Sequence, residues 1–523
     1  MERVRVIRGR STVLVPAVVS CLGVVTLAVG PPKAPPYVPD TPIAIVGGLL
    51  IDATGAPPRH DQTVVIEGER ITAVGPMDQV KVPAGAEIID ASGMTVMPGL
   101  INSNQHIQLN PLYPSPPANL PLANIKARWE SNWSRQPDRA FVYLMQGVTS
   151  LRNTSGPAKQ ILPVKQRIDR GEIPGPRLFL GAALFMSDEN FAAYVKRQST
   201  PADAVGFMRD EFAYRVISDI DRGTAPYESQ DFNFWKLIMA DAKFDGKNDF
   251  TDEELRAFIA KAHRLGKKVD VHCGGNNEGL RRMLAFDFDT LEHPFYGEEL
   301  IDEDIIRGYV KKNIIVDTLL SVMINGAERA ADPHRFDETA YIMSMNPKEY
   351  RILMQYRDTM LTNRKNPDKP ALPTYDAANP PDFPEVHVSS AAGDRGNIVE
   401  SGRGPSFNEM QKRLLTSKEN MRRFIKAGAK FSMGTDTGAF FGFQQEDPNA
   451  QEMMYMVEMG MSPTAVIEAS TRNGAEALGL LKDLGTIEKG KLADVIVVAG
   501  NPLQNMAAMK RVAFVVKGGV RYK

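Results

Sequence analysis

At 523 residues, with 43% apolar and 24% charged side chains, the chain is long enough for a large catalytic-size domain with accessory structure, and its composition is that of a folded protein. Its 62 basic and 63 acidic residues leave a net charge of −1 with no long run of one sign, which excludes the electrostatic footprint of a nucleic-acid or anionic-membrane binder and points to small-molecule or peptide partners. Two cysteines, Cys21 and Cys273, exclude a disulfide framework and a thiolate zinc site, so a metal would need nitrogen and oxygen donors.

In chain order, the first segment reads as a targeting sequence. Basic MERVRVIRGR precedes an apolar run from Ser11 to Gly30, and Pro-rich PPKAPPYVP follows; this order predicts a cleaved signal peptide over 1–30, a linker over 31–42 and export to the periplasm or beyond. A lipobox reading of VVSC fits less well, because apolar residues continue past Cys21. A retained membrane anchor also fits less well, since the run is barely long enough to span a bilayer and Pro16 interrupts it. From 43 to 97, the Gly-punctuated stretches IAIVGGLLID, TVVIEGERITAVG and EIIDASGMTVMPG predict short antiparallel strands. Residues 484–523 return to that style in ADVIVVAG and VAFVVKGGVRYK. Neither piece can bury a face alone, so both chain ends are expected to meet in one small β-sandwich.

Residues 98–483 alternate apolar strand, loop and amphipathic helix. TVMPGLINSNQH, GVTSLRNTS, RLFLGAA, FNFWKLIMA, KKVDVHC, DTLEHP, NIIVDTLL and KFSMGTD are the strand candidates, and TDEELRAFIAKAHRLG has the acidic start and Gly end of a helix. Eight such β/α units predict an α/β fold of the (β/α)8 TIM-barrel type, with functional residues at the C-terminal ends of its strands. One connection, 331–407, is too long for the pattern: a helical ETAYIMSMNPKEYRILMQYRDTML runs into Pro-, Asn- and Asp-rich sequence, which reads as a lid over the mouth or as disorder.

His106, His272, His293 and Asp436 each fall at the end of a predicted barrel strand. A single histidine in such a place is more often a hydrogen-bonded loop residue than a ligand. Three of only seven histidines ending strands of one barrel is harder to assign to chance. Lys236 lies between Phe234, Trp235, Leu237 and Ile238, where an ammonium is costly unless paired or chemically changed. A desolvated lysine can react with carbon dioxide to give an anionic carbamate ligand; the bland alternative is a lysine that snorkels to water. Tyr296, Arg329, Arg395 and Arg403 are candidates for substrate contact, each set against an ordinary solvated surface role.

These stretches carry a resemblance. VMPGLINSNQH resembles the PGLID-x-H-x-H opening of the amidohydrolase superfamily, VTSLRNTSG its second-strand signature and IPGPRLFLGA the segment after it. VDVHC, DTLEHP and MGTDTG are similar to its fifth-, sixth- and eighth-strand signatures, and GMSPTAVIEASTRNGAEALGLLKDLGTIEKGKLADVIVV to its most recognisable stretch. The match covers residues 43 to 523 apart from the insertion and is nearest the branch of imidazolonepropionase-like and Xaa-Pro-dipeptidase-like enzymes. The resemblance implies that Asn104 and His106 form the first-strand ligand pair, Lys236 is the carboxylated bridging lysine, His272 and His293 serve the second metal, and Asp436 binds metal and shuttles the proton. Asn104 departs from the family's histidine, as in phenylurea hydrolases, and Asn102 from its aspartate; an amide oxygen is a weaker partner for zinc than imidazole, so one or two Zn2+ ions are expected. The implied activity is hydrolysis of a C–N bond in a small amide, urea-like compound or peptide. The alternatives are ester or lactone opening at the same centre and an exported non-catalytic binding protein on this scaffold. No periodic interface signal specifies a partner subunit, and a homo-oligomer is compatible with the sequence.

Overall fold

The computed structural model describes residues 41–107, 136–154, 158–187, 219–239, 250–321, 407–437 and 447–523, with short pieces between them. The expected signal peptide, most of the linker and nearly all of 331–407, with Arg329, Arg395 and Arg403, lie outside the described residues. Among the described residues no helix is long and apolar enough to cross a membrane.

The chain begins as β-structure: β1 (Ile43–Leu50), β2 (Arg59–Glu67), β3 (Arg70–Pro76), β4 (Glu87–Asp90) and β5 (Thr95–Pro98). It then enters the barrel through β6 (Leu100–Asn102), β7 (Val148–Asn153), β8 (Arg177–Met186), β9 (Tyr214–Val216), β10 (Phe232–Ile238), β11 (Lys268–His272), β12 (Thr290–Glu292), β13 (Ile315–Asp317) and β14 (Lys430–Ser432). The last strands are β15 (Val495–Val498), β16 (Val512–Lys517) and β17 (Val520–Arg521). Described helices are α1 (Gln136–Met145), α2 (Ala158–Asp169), α3 (Ile220–Thr224), α4 (Asp252–Arg264), α5 (Asn277–Met283), α6 (Glu303–Lys312), α7 (Phe407–Lys426), α8 (Pro448–Glu458), α9 (Pro463–Ala469) and α10 (Arg472–Ala477).

All eight expected barrel strands are present and run parallel in the order β14-β13-β12-β11-β10-β8-β7-β6. The short β9 is an addition that pairs with β8 off this path. Closure between β6 and β14 is made just beyond their ends, where Ser103 N donates to Met433 O at 2.7 Å. The helices supply the outer layer. In α4 the apolar residues Leu255, Phe258, Ile259 and Ala262 recur at helical spacing and are buried, while Thr251 and Glu254 form a capping box and three acidic residues occupy the first turn. Phe258 meets Trp235 of β10 with ring centroids 5.1 Å apart, a contact that hides a large apolar area.

The two end segments meet as expected, but in one hydrogen-bonded sheet ordered β17-β16-β15-β5-β1-β2-β3 with β4 on β1, and it is not wholly antiparallel, since β4 and β5 run parallel to β1. β15 runs antiparallel to β5, and the same segment continues through Gly99 into barrel strand β6. That corner requires glycine, since a Cβ on Gly99 would lie 2.2 Å from Thr149 Oγ1.

Candidate metal centre

Strand alternation sets which side chains reach the barrel axis. In β10, Trp235 and Leu237 belong to the apolar cluster outside the barrel, and Lys236 points the other way, where its Nζ pairs with a Glu292 carboxylate oxygen. The apolar neighbours in sequence are therefore not the neighbours in space. In β11, Asp270 and His272 sit two residues apart on the axial side. In β12, Thr290 and Glu292 do the same, so alternation alone would send His293 outward. Instead His293 has φ +60°, a left-handed backbone that brings its ring back beside His272, with centroids 4.4 Å apart.

Asp436 follows β14 with φ +49°, and Leu319 follows β13 with φ +49°. Non-glycine residues in this conformation are costly and tend to collect where a site fixes them. The loop carrying Asp436 is zipped to the loop after β6: Thr435 N and Asp436 N donate to Asn104 O at 2.9 and 2.8 Å, His106 N donates to Thr437 O at 2.8 Å, and Asn102 Nδ2 donates to Thr435 Oγ1 at 3.1 Å. These bonds place His106 Nε2 2.9 Å from Asp436 Oδ1, and His293 Nε2 lies 3.7 Å from Asp436 Oδ2. Expected residues from five strands thus share one buried place: His106, Lys236, His272, His293 and Asp436.

Asn104 is there too, fully buried. Its Oδ1 accepts a hydrogen bond from Thr154 Oγ1 at 2.6 Å, while its Nδ2 has no partner among the described residues. A half-satisfied buried amide costs about 1–3 kcal/mol. A hydrogen-bond acceptor bound beside it, such as a water or carboxylate oxygen, would remove that cost. His272, Glu292 and His293 offer ligand atoms all within 4.8 Å of one another, and imidazole with carboxylate is the donor chemistry that suits zinc. The residues present therefore fit a metal. Tyr296, whose ring lies 4.6 Å from that of His293, donates its hydroxyl to Leu319 O at 2.7 Å, which ties together the loops after β12 and β13.

Sequence reasoning missed Glu292, Thr154 and a second cluster beneath. Arg152, only 1% exposed, reaches across the axis toward Asp270, Glu292 and Asp317. Burial alone would lower its pKa, but these carboxylates outweigh burial and hold it above the ordinary value. Burial and the Asp270 charge push Glu292 well above the usual carboxylate range, against the pull of Lys236 and Arg152. Asp317 is raised to about 6, chiefly by burial. The one available signal for Glu292 was its place between Leu291 and His293 at the end of an apolar strand. For Arg152, it was a guanidinium inside a predicted strand.

Comparison with known proteins identifies a family. A family model described as "Amidohydrolase family" matches residues 95–521. The chain is 35% identical over 109 residues to an imidazolonepropionase of Shouchella clausii (strain KSM-K16), covering 20% of this chain and 24% of that relative, so the alignment spans about a quarter of the relative's length. Among solved structures it is similar to phenylurea hydrolase B, with a TM-score of 0.66, 21% identity and coverage of 92% of this chain and 97% of that one. It is also similar to a Xaa-Pro dipeptidase with methionine bound in its active site, with a TM-score of 0.64, 20% identity and coverage of 92% and 100%. At these identities the structural likenesses establish the fold alone.

Proposed function

The chain belongs to the amidohydrolase family, and from that premise we propose that it is a hydrolase that cleaves a C–N bond in a small amide, urea-like compound or short peptide at a zinc centre. The observation that carries the reading is the meeting of His106, Lys236, His272, His293 and Asp436 from five strands in one buried place. Asn104 through Oδ1, His106, His272, His293, Asp436 and an N6-carboxylated Lys236 would hold the metal. When bound, the metal supplies Lewis acidity toward the scissile carbonyl and the attacking water. Asp436 takes a proton from that water on a carboxylate oxygen and returns it to the leaving nitrogen, which demands hydrogen-bond reach in both steps. The zipped loops fix the backbone that carries it. His106 Nε2 lies 2.9 Å from Asp436 Oδ1, so the two side chains that would share the metal already face each other.

The test combines metal analysis of the purified chain with turnover of N-acyl amino acids, dipeptides and aryl ureas. Zinc together with hydrolysis of at least one class is expected; a metal-free chain that binds these compounds and turns over none would instead support a binding role. Lys236→Ala is expected to lose most metal and activity together, and peptide mass spectrometry should find a carboxyl group on Lys236 of the wild type. A fully metallated, active Lys236→Ala variant would overturn that lysine's assignment.

A further inference from the structure

One step down the strands from Thr154 and His272, the barrel axis carries charge where such barrels usually pack branched apolar side chains. Arg152 Nε donates to Ser103 O, Nη1 donates to Thr290 Oγ1 at 3.0 Å and Nη2 donates to Asp317 Oδ2. Asp270 Oδ1 stands 3.3 Å and Glu292 Oε1 3.8 Å from the same Nη2, and the guanidinium carbon lies 5.1 Å above the Phe234 ring. Hydroxyls complete the layer: Thr290 donates to Asp270 and Ser432 to Asp317. The side chains come from β7, β10, β11, β12, β13 and β14, so one guanidinium braces most of the barrel.

Asp270, Glu292 and Asp317 each offer an oxygen within 4.8 Å of the other two. Three carboxylates at that spacing make a cradle that a hard divalent cation would suit. The cradle is filled by the protein's own cation, whose planar fork meets carboxylates from several directions at once. Stability does not explain the arrangement, because buried ion clusters are often no better than apolar packing, whereas removing one partner leaves buried charge uncompensated. Glu292 joins the two levels. Its Oε1 faces Arg152, and its Oε2 contacts Lys236 Nζ and lies 3.8 Å from His293 Nε2.

We propose that Arg152 is a built-in cation that closes the Asp270–Glu292–Asp317 group to divalent ions and thereby confines metal to the strand ends above it, with Glu292 as the wall between the two levels. Arg152 is thus a positioning residue acting through Glu292. The inference rests on the reading that the strand ends hold metal.

The experiment counts ions per chain in the full-length protein after equilibration with millimolar Mn2+ and gel filtration, by elemental analysis and by Mn2+ electron paramagnetic resonance, with circular dichroism to monitor the fold. Arg152→Met is expected to gain one Mn2+ over the wild type and to lose it to methylguanidinium. Arg152→Lys, which keeps the positive charge, and the double variant Arg152→Met with Asp317→Asn, which lacks one wall of the cradle, are expected to stay at the wild-type count. A folded Arg152→Met variant at the wild-type count, or a gain that persists in the double variant, overturns the proposal. If Arg152→Met does not fold by itself, refolding with Mn2+ or methylguanidinium is expected to recover it, and failure of both overturns the proposal. A wild type that holds no metal sinks the parent reading and this one with it; a metal-bearing wild type whose count ignores position 152 sinks this one alone.

Discussion

Asp436 is held with φ +49° by two amides that donate to Asn104 O, and its carboxylate meets His106 Nε2 at 2.9 Å, so contacts fix both its backbone and its side chain. Replacing it by asparagine keeps the size and the loop but removes the group that accepts a proton. Asp436→Asn is therefore expected to lower kcat by on the order of 100- to 10,000-fold with the fold intact, as measured by steady-state kinetics beside circular dichroism. A loss of less than about tenfold would assign the proton transfer elsewhere. The histidines and Asp436 were legible in the sequence because they are few and each ends an apolar run. Arg152 and Glu292 were not, for a physical reason. A strand in a closed barrel is buried on both faces, so burial does not say which residues face the axis. An arginine in VTSLRNTS looks the same whether it points to water or to three carboxylates. His293 adds a second obstacle, since its left-handed backbone breaks the alternation that would otherwise have separated it from Glu292.

At the scale of elements, the loops after β11 and β12 are joined at van der Waals limits. A Cβ on Gly297 would lie 1.6 Å from Gly275 O, and one on Gly275 would lie 2.1 Å from Pro294 O. These loops follow His272 and His293 directly, so the crossing ties together the segments that carry the two rings. Gly297→Ala is expected to destabilise the protein by on the order of 3 kcal/mol and to weaken metal retention during dialysis against a chelator. The comparison is Thr251→Ala, which removes the capping box of α4 far from that crossing. It should cost about 1 kcal/mol in urea denaturation and leave metal retention unchanged. Equal metal loss in both variants would mean that general loosening, not the loop crossing, governs the site. All eight expected barrel strands appear in the sheet because their period and flanking glycines are local properties. The three-residue β9 escaped notice because so short a strand has no period to read, and its pairing with β8 depends on tertiary contact.

The whole molecule is tied together by contacts between segments far apart in sequence. β15 pairs with β5, Arg177 at the start of β8 binds Asp494 at 3.1 Å, and Lys517 Nζ donates to Gly175 O at 2.6 Å, so the C-terminal segment ties the N-terminal strands to the barrel. The meeting of the ends was readable from strand style; these polar ties were not, because no local pattern pairs residues more than 300 apart. Glu452 on α8 is another such tie. Fully buried, it accepts hydrogen bonds from Leu320 N at 2.9 Å, Ser321 N at 2.6 Å and Ser321 Oγ at 2.6 Å, and so anchors the segment after β13. Burial raises its pKa from 4.5 to about 6, even though hydrogen bonds from Ser321, Thr318 and Leu320 pull it down. The folded chain therefore binds a proton at this position between those values that the unfolded chain releases. The stability this group contributes is complete below about pH 4.5 and is lost as pH rises through about 6, a change of about 2 kcal/mol. Asp317, also raised to about 6, acts in the same sense. Glu452→Gln cannot take up that proton. Urea-unfolding profiles at about pH 5 and about pH 7.5 should therefore show the wild type gaining on the variant toward acid, whatever fixed penalty the amide imposes on the Ser321 donors. Parallel profiles would mean that Glu452 is already ionised in the folded protein at about pH 5 and that its hydrogen-bond donors, not burial, set its charge.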